Sequence, residues 1–525
     1  MEAFLAVAKD FQFGNLPTEQ IHPDTGPLSE LATSDAVPDA LRLLQRADVD
    51  AIRALQRDTV LREIEILAAR IHSVLEAGGR IFMTGCGASG RVAVSLGIFG
   101  RKGYLGPTPA FRSHASLCGF MAGGDIAFIR AVEQFEDQKE YGARQLCDEG
   151  FRQGDLLIAF SAAGAAPYVV GACEAAVKLS TQQVVLVLCN DVASLAAASP
   201  RSKELLESVR VSAVSLVVGP MAVSGSTRMQ AATAQLLAVG LALSHHDKIQ
   251  AIRPEIETLH RHLQAMDYGC LADFTALEAS LYRERRLFLY EAGSECMASV
   301  LTDVTERAPT FSLAPFERLN GDVAQLPSTL YMHVAASGAL RAWESLLERP
   351  PEPLEWSDDE EVLAKAGLRA FQEYDMSDTM FLKRYPRQDS WPWIRITCER
   401  GRATFLAQPG RDGAALSRQI DTGCSSPFLY NVLLKCLLNA HSTAVMANLG
   451  RVHGNVMVFV RPSNNKLIDR VIRYCSAILM QQSVSPLPSY RDVAETVFRL
   501  RGTIGAEDSI VLAVVSFYTG TSRRL

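Results

Sequence analysis

Arg80-Ile-Phe-Met-Thr84 runs directly into Gly85-Cys-Gly-Ala-Ser-Gly-Arg91, and this join decides the fold. Five mostly apolar residues end in Gly-x-Gly-x-x-Gly, and a helical pattern follows over Ser89–Phe99. Glycines let the chain turn tightly and let a ligand approach the backbone, while a helix start offers unpaired N–H groups and a positive dipole end. The stretch therefore reads as a strand, a phosphate cradle and a helix. Gly87, Ala88, Ser89 and Gly90 form the cradle, and Ser89 adds a hydroxyl. A dinucleotide site would need an acid at the end of the next strand to hold a ribose. The segment around Phe111–Ser116 has none, so a simple phosphate ester fits better than NAD, and no cofactor is expected.

Outward from this join the same alternation repeats. Strands are expected at Arg80–Thr84, Asp155–Ala162, Gln183–Asn190 and Val211–Gly219. Helices are expected at Ala51–Ile71, Ser89–Phe99, Ile126–Glu149, Ala166–Leu179, Thr227–Ser244 and Ala251–Gln264. Alternating β and α with short connections indicates a doubly wound parallel sheet. A second round begins at Arg286-Leu-Phe-Leu-Tyr290 with a helix to about Glu306, and further strands at Ser328–Ala335, Trp393–Cys398 and Ala403–Gln408. Arg80-x-Phe82-x4-Gly87 matches Arg286-x-Phe288-x4-Gly293 at one offset, which points to a duplicated domain. The remainder reads as helices at Tyr430–Asn448, Asn465–Leu479, Tyr490–Leu500 and after Gly505. The expected organisation is α/β: a segment 1–50 of turns and polar residues, a first domain over 51–265, a second with a degenerate loop over 266–428, and a helical cap over 429–525.

Composition narrows the function classes. The 525 residues are 48% hydrophobic and 21% charged, with net charge −6. A mildly acidic chain gives no footprint for nucleic acid. Eleven cysteines without a CxxC pair read as reduced thiols of a cytoplasmic protein, with neither disulfides nor a metal site. No apolar run is long enough to span a membrane.

Two further loops lie where doubly wound folds bind ligands. Phe160-Ser161-Ala-Ala-Gly164-Ala-Ala-Pro167-Tyr168 offers Ser161 and Gly164. Gly219-Pro-Met-Ala-Val-Ser-Gly225-Ser226-Thr-Arg228-Met229 offers Ser226 and Arg228, although Ser226 also suits a helix cap. With Leu16-Pro-Thr-Glu-Gln20, Ala122-Gly-Gly124, Glu133-x-x-Glu136-Asp137, Gly450-Arg451-Val-x-Gly454-Asn455-x-Met457 and Asn464-x-Lys466-Leu467, these motifs occur in an order that resembles the N-acetylmuramic acid 6-phosphate etherases and glucokinase regulatory proteins, a family of sugar isomerase (SIS) domains.

The resemblance implies two SIS domains forming a pseudo-dimer, with a sugar phosphate bound at their interface. In the etherases the glycine loop leads into Asp-Ala-Ser-Glu-Cys-Pro-Pro-Thr, whose Glu is an acid/base candidate. Phe99 stands at that place in the first repeat and cannot move a proton. Asp303-Val-Thr-Glu306-Arg-Ala-Pro309-Thr310 keeps the pattern in the second repeat, where the glycine loop has become Glu291-Ala-Gly-Ser-Glu295. One working site would then join the first repeat's cradle to Glu306. Glu136 matches a second family acid. Departures from the etherases, with Ala163, Ala165 and Ala166 in the second loop and Gln230 for a lysine, remove phosphate contacts, and Arg451 would offset part of that loss. The tandem length favours a non-catalytic sugar-phosphate-binding regulator of the glucokinase regulatory type, with a ligand such as fructose 6-phosphate and a sugar kinase as partner. The alternative is an etherase-type lyase releasing lactate from N-acetylmuramic acid 6-phosphate through Glu136 and Glu306.

Overall fold

The computed structural model describes residues 1–8, 13–132, 134–313, 316, 330–384, 391–411, 413–505 and 508–520. The first sheet holds β1 (Ile81–Gly85), β2 (Leu117–Gly119), β3 (Leu156–Phe160), β4 (Val184–Leu188) and β5 (Val211–Ser215). Their order is β2-β1-β3-β4-β5, all parallel. Every residue of β1, β3 and β4 is buried, because helices cover both faces of a parallel sheet, and such strands read as unbroken apolar runs. The chain leaves β1 toward β2 on one side and returns to β3 on the other. The carboxyl ends of β1 and β3 therefore flank the switch point where open α/β sheets bind ligands.

The second sheet holds β6 (Phe288–Ala292), β7 (Leu330–His333), β8 (Trp393–Glu399), β9 (Arg402–Gln408) and β10 (Leu416–Asp421), in the order β10-β9-β8-β6-β7. Its β7-β6-β8 half is parallel, and β8-β9-β10 is antiparallel. The tandem α/β class holds, but the second sheet is half hairpin. Two strands of these sheets are not expected from the sequence. Leu117–Gly119 is too short for a period, and Leu416–Asp421 is a polar edge strand with three consecutive exposed residues. Residues 328 and 329 of the expected strand at Ser328–Ala335 lie outside the described residues.

Other expectations need correction. Residues 1–50 are not only turns: helices occupy Glu2–Val7, Leu28–Thr33 and most of Val37–Ala54, and the expected helix Ala51–Ile71 straddles the break before Asp58–Glu76. Ile126–Glu149 is not one helix. Single turns at Asp125–Phe128 and Phe135–Asp137 precede a helix at Lys139–Asp148. Ile126, Ala127, Phe128 and Ile129 are all buried, so this is a loop sealed in an interface and not one helical face. Thr305 of the second domain donates to the Phe128 carbonyl there (3.0 Å).

The helix Pro427–Asn448 is no peripheral cap. Every residue from Phe428 to Ala447 is buried. It packs on Met297–Phe311 and Ala272–Arg283 of the second domain, and on Leu28–Thr33, Val37–Ala54 and Gln230–Ser244 of the first. It is an interior helix, and its buried polar stripe of Asn431, Lys435, Asn439 and Ser442 is hydrogen-bonded throughout. The helices Asn465–Gln481, Tyr490–Leu500 and Ile510–Thr519 pack on one another beyond it; residues 506 and 507, just before the last, lie outside the described residues.

Candidate functional site

The glycine cradle sits at the end of β1. Gly87 opens the helix Gly87–Lys102 at φ +52° and is exposed. Gly90 is required by space: a Cβ there would lie 2.5 Å from the Gly85 carbonyl oxygen and 2.7 Å from Met121 Cβ. The Gly90 N–H already donates to the Cys86 carbonyl, which leaves the N–H groups of Gly87, Ala88 and Ser89 as the helix's open donors. Ser89 is engaged, donating to Gln235 Oε1 (2.9 Å).

The dispersed motifs converge around this cradle. Asn190 at the end of β4 accepts from Thr18 N (3.1 Å) and donates to Thr18 Oγ1 and the Ala162 carbonyl (2.9 Å each). This fixes the Leu16–Gln20 segment beside the Ser161–Gly164 loop. Gly164 turns at φ +63°, and its carbonyl accepts from Ser202 (3.2 Å). Glu19 pairs with Arg470 and Arg473. Burial would raise its carboxyl, but the two guanidinium groups hold it at about 2. Tyr474 donates to the Ser224 carbonyl (2.5 Å), and Ser224 N donates to Asn455 (2.9 Å). A Cβ on Gly225 would lie 2.3 Å from Tyr474 Oη. The helix Asn465–Gln481 thus clamps the Ser226 loop, which explains why residues over 400 apart in sequence belong to one motif set.

Ser226 does not cap the helix Gln230–Ser244, whose N-cap is Met229. Its hydroxyl is buried without a hydrogen-bond partner among the described residues. Arg228 is placed differently from its expected role at the ligand. It donates to Asp303 (3.0 Å), Ser442 (3.0 Å) and Thr443 (2.7 Å), joining the first domain to the second. Asp303 also binds Arg307, which binds Glu278. Arg451 donates to the carbonyls of Phe311 (2.8 Å) and Ser312 (3.3 Å). It closes the end of the Glu306 helix.

Glu306 is the group that crosses between domains. It is buried, and neither carboxylate oxygen has a hydrogen-bond partner among the described residues. Burial pushes its carboxyl up, and Arg91, then Lys435 and Arg228, pull it back only in part. Arg91, in the second turn of the cradle helix, is itself buried with Nε and Nη2 unpaired among the described residues. Glu136 lies half-buried at the cradle's mouth, accepting from Asn464 Nδ2 (3.3 Å). Its charge, with that of Lys466, acts on Cys86, whose thiol is raised first of all by burial. Glu133 of the same motif lies outside the described residues. Sequence reasoning quoted Arg91, Asn464 and Lys466 within motifs without assigning them a role, and Lys435 carried no motif at all.

The other interface half is closed. Phe99 packs edge-on against Phe428 (centroids 6.2 Å apart) and near Tyr104. Glu295 folds over Gly293, and its Oε1 accepts from Cys398 N (3.0 Å). A carboxylate now occupies the approach to the degenerate loop.

A doubly wound domain with its cradle at the switch point, repeated and packed against a second such domain, defines a tandem SIS protein of the sugar-phosphate-binding class. Residues 64–177 match the family model for the glucokinase regulatory protein N-terminal SIS domain. The chain is 34% identical over 229 residues to the N-acetylmuramic acid 6-phosphate etherase of Enterobacter sp. (strain 638), covering 43% of this chain and 69% of that one. It is 33% identical over 201 residues to the etherase of Bacillus subtilis (strain 168), covering 38% and 60%. For the etherase of Petrotoga mobilis (strain DSM 10674 / SJ95) the identity is 32% over 228 residues, covering 43% and 68%. The chain belongs to this family of etherases and related SIS proteins.

Proposed function

We propose that the chain binds a phosphorylated amino sugar across its two SIS domains and acts on it as an etherase-type lyase, with Glu306 as the proton donor. The observation that carries this reading is the buried Glu306 carboxyl, without a hydrogen-bond partner among the described residues, on a helix packed against the cradle helix that carries Arg91. A carboxyl raised by burial holds its proton to higher pH than an exposed one, which suits a general acid. The phosphate takes the open N–H groups of Gly87–Ser89 and the Ser226 hydroxyl. Glu136 removes the proton at C2, α to the sugar carbonyl. The C3–O bond breaks, and the departing lactate oxygen takes its proton from Glu306. Its relatives named N-acetylmuramic acid 6-phosphate etherases support the same substrate class. Among the described residues no helix is long and apolar enough to cross a membrane, and we place the activity in the cytoplasm.

A second reading is a sugar-phosphate-responsive regulator, with a sugar kinase as its partner. The observation favouring it is Phe99 packed on Phe428 where the first repeat would carry its acid. One experiment separates the two. The purified chain is given N-acetylmuramic acid 6-phosphate, and lactate is assayed beside the melting temperature. Lactate release that Glu306→Gln abolishes supports the lyase. Stabilisation by sugar phosphates without lactate release assigns the regulator.

A further inference from the structure

At the outer edge of the first sheet, three side chains outside the proposed sugar site bring unlike metal-binding atoms together. Cys118 Sγ lies 3.2 Å from Glu149 Oε2 and 3.6 Å from His114 Nε2. His114 Nε2 is 3.7 Å from the same Glu149 oxygen. Glu352, carried in by the second domain, places Oε2 3.1 Å from His114 Nε2. We propose that His114, Cys118 and Glu149 bind one zinc ion at the seam between the two domains, and that Glu352, beside His114, turns in as the fourth ligand.

The spacing fits the ion. Zinc bonds of about 2.0–2.3 Å at tetrahedral angles separate neighbouring ligand atoms by roughly 3.3–3.8 Å, and the three edges among His114, Cys118 and Glu149 run from 3.2 to 3.7 Å. The donor set fits too. A thiolate with an imidazole selects zinc over magnesium or calcium, which take oxygen alone. The cysteine is buried, while a cavity of about 590 Å³ lined by His114, Cys118, Glu149 and Glu352 gives an ion a way in. Sequence offered only His114-x3-Cys118, with no CxxC pair; the other two ligands are 31 and 234 residues beyond Cys118 in the chain and meet it only in the fold.

The elements around the cluster are held independently of any ion. Arg349 donates to both Asp125 oxygens (2.6 and 2.8 Å), and Glu352 N donates to Asp125 (2.8 Å). The second domain's loop is therefore already strapped beside β2, and the Glu352 carboxylate needs only a side-chain turn to join the cluster. Arg349 Nη2 also approaches Glu352 Oε2 (3.6 Å). Binding exchanges protons in a balanced way. The Cys118 thiol proton, now directed at Glu149, leaves to solvent as the zinc–sulfur bond forms. The imidazole binds through Nε2 and carries its proton on Nδ1. Arg101 Nη1, 3.3 Å from that Nδ1, then turns aside while its Nε keeps the Leu347 carbonyl (3.0 Å). With four protein ligands the site is closed, and its role is to staple the domains. Cys118 lies on β2, and Ala122, just beyond, donates to Gly85 (3.0 Å), so the staple bears on the cradle's foundation.

The test strips the full chain with a chelator and titrates it with cobalt(II), then zinc. The expected result is one equivalent of cobalt giving a thiolate-to-metal band in the near ultraviolet and the intense visible bands of a tetrahedral site, both erased by zinc. Cys118→Ser removes the ultraviolet band, Glu352→Gln weakens the metal at least tenfold, and zinc raises the melting temperature of the wild type alone. His114→Gln, read the same way, serves if the serine variant fails to fold. Absence of the band at excess cobalt overturns the proposal, as does a band that survives both variants. Because the readout is metal binding, its failure leaves the lactate assay untouched.

Discussion

Glu306, from the second domain, lies on a helix packed against the one that carries Arg91 of the first, and neither its own two oxygens nor Arg91 Nε and Nη2 have hydrogen-bond partners among the described residues. Buried polar groups are nearly always paired, and each exception calls for an explanation. A ligand between them supplies one. Burial raises the Glu306 carboxyl, so the folded state favours its neutral form. The stability this group contributes is present below its unfolded value and is lost as pH rises through the raised folded value. Glu306→Gln is therefore expected to be more stable than wild type, by a margin that grows with pH, while losing lactate release. Urea midpoints at several pH values, beside the lactate assay, check both.

The two serines near the cradle should respond in opposite ways. The Ser226 hydroxyl is buried and unpaired among the described residues, so Ser226→Ala costs no internal hydrogen bond. It should leave the melting temperature unchanged or higher and weaken sugar-phosphate affinity roughly 5- to 30-fold, about 1–2 kcal/mol. Ser89 donates to Gln235. Ser89→Ala should lower stability by about 1 kcal/mol, since it strands a buried acceptor. Calorimetric titration and thermal melts separate the two.

Arg228 and Asp303 are both almost fully buried and tie the domains together. Arg228→Ala leaves Asp303 with Arg307 but without its cross-domain cation. Removing one partner of a buried ion pair costs about 3–5 kcal/mol. The expected signature is a lower denaturant midpoint or the separation of one melting transition into two.

Asp48 and Glu19 should give opposite pH slopes. Burial pushes Asp48 to about 7 despite donors from Gln230 and Tyr268. Its ionisation therefore opposes folding, and the penalty grows from near pH 4 until about pH 7. Asp48→Asn should stabilise by about 2–4 kcal/mol at pH 8 and by little at pH 4. Glu19 and Asp303 are both buried yet held at about 2 by arginines. Their contribution is full above the unfolded carboxylate range and disappears as pH falls toward 2. Glu19→Gln should flatten the acid limb of the stability profile, measured by urea midpoints between pH 2 and 6.

The parallel core was legible because buried strands such as Val184–Leu188 are continuous apolar runs and glycine turns such as Gly85–Gly90 leave little conformational choice. The strands Leu117–Gly119 and Leu416–Asp421 were not, since three residues show no period and an edge strand need not be apolar. Ile126–Glu149 reads as one helix in sequence, but the buried run Ile126–Ile129 is shaped by what the second domain places against it.

Sequence alone determined the tandem α/β architecture, because buried strands and glycine turns rest on local chain geometry; the loss at Phe99 and the retained Glu306 are what the resemblance to the etherases implies. Only the tertiary structure decided partners. It turned Arg228 into a bridge to Asp303 and Arg451 into a clasp on Phe311, and it packed the Glu306 helix against the one that carries Arg91 and put His114 and Cys118 beside Glu149 and Glu352. The same guanidinium can hold a phosphate, a carboxylate or a carbonyl. Which one it meets depends on contacts across hundreds of residues, set by the packing of whole domains.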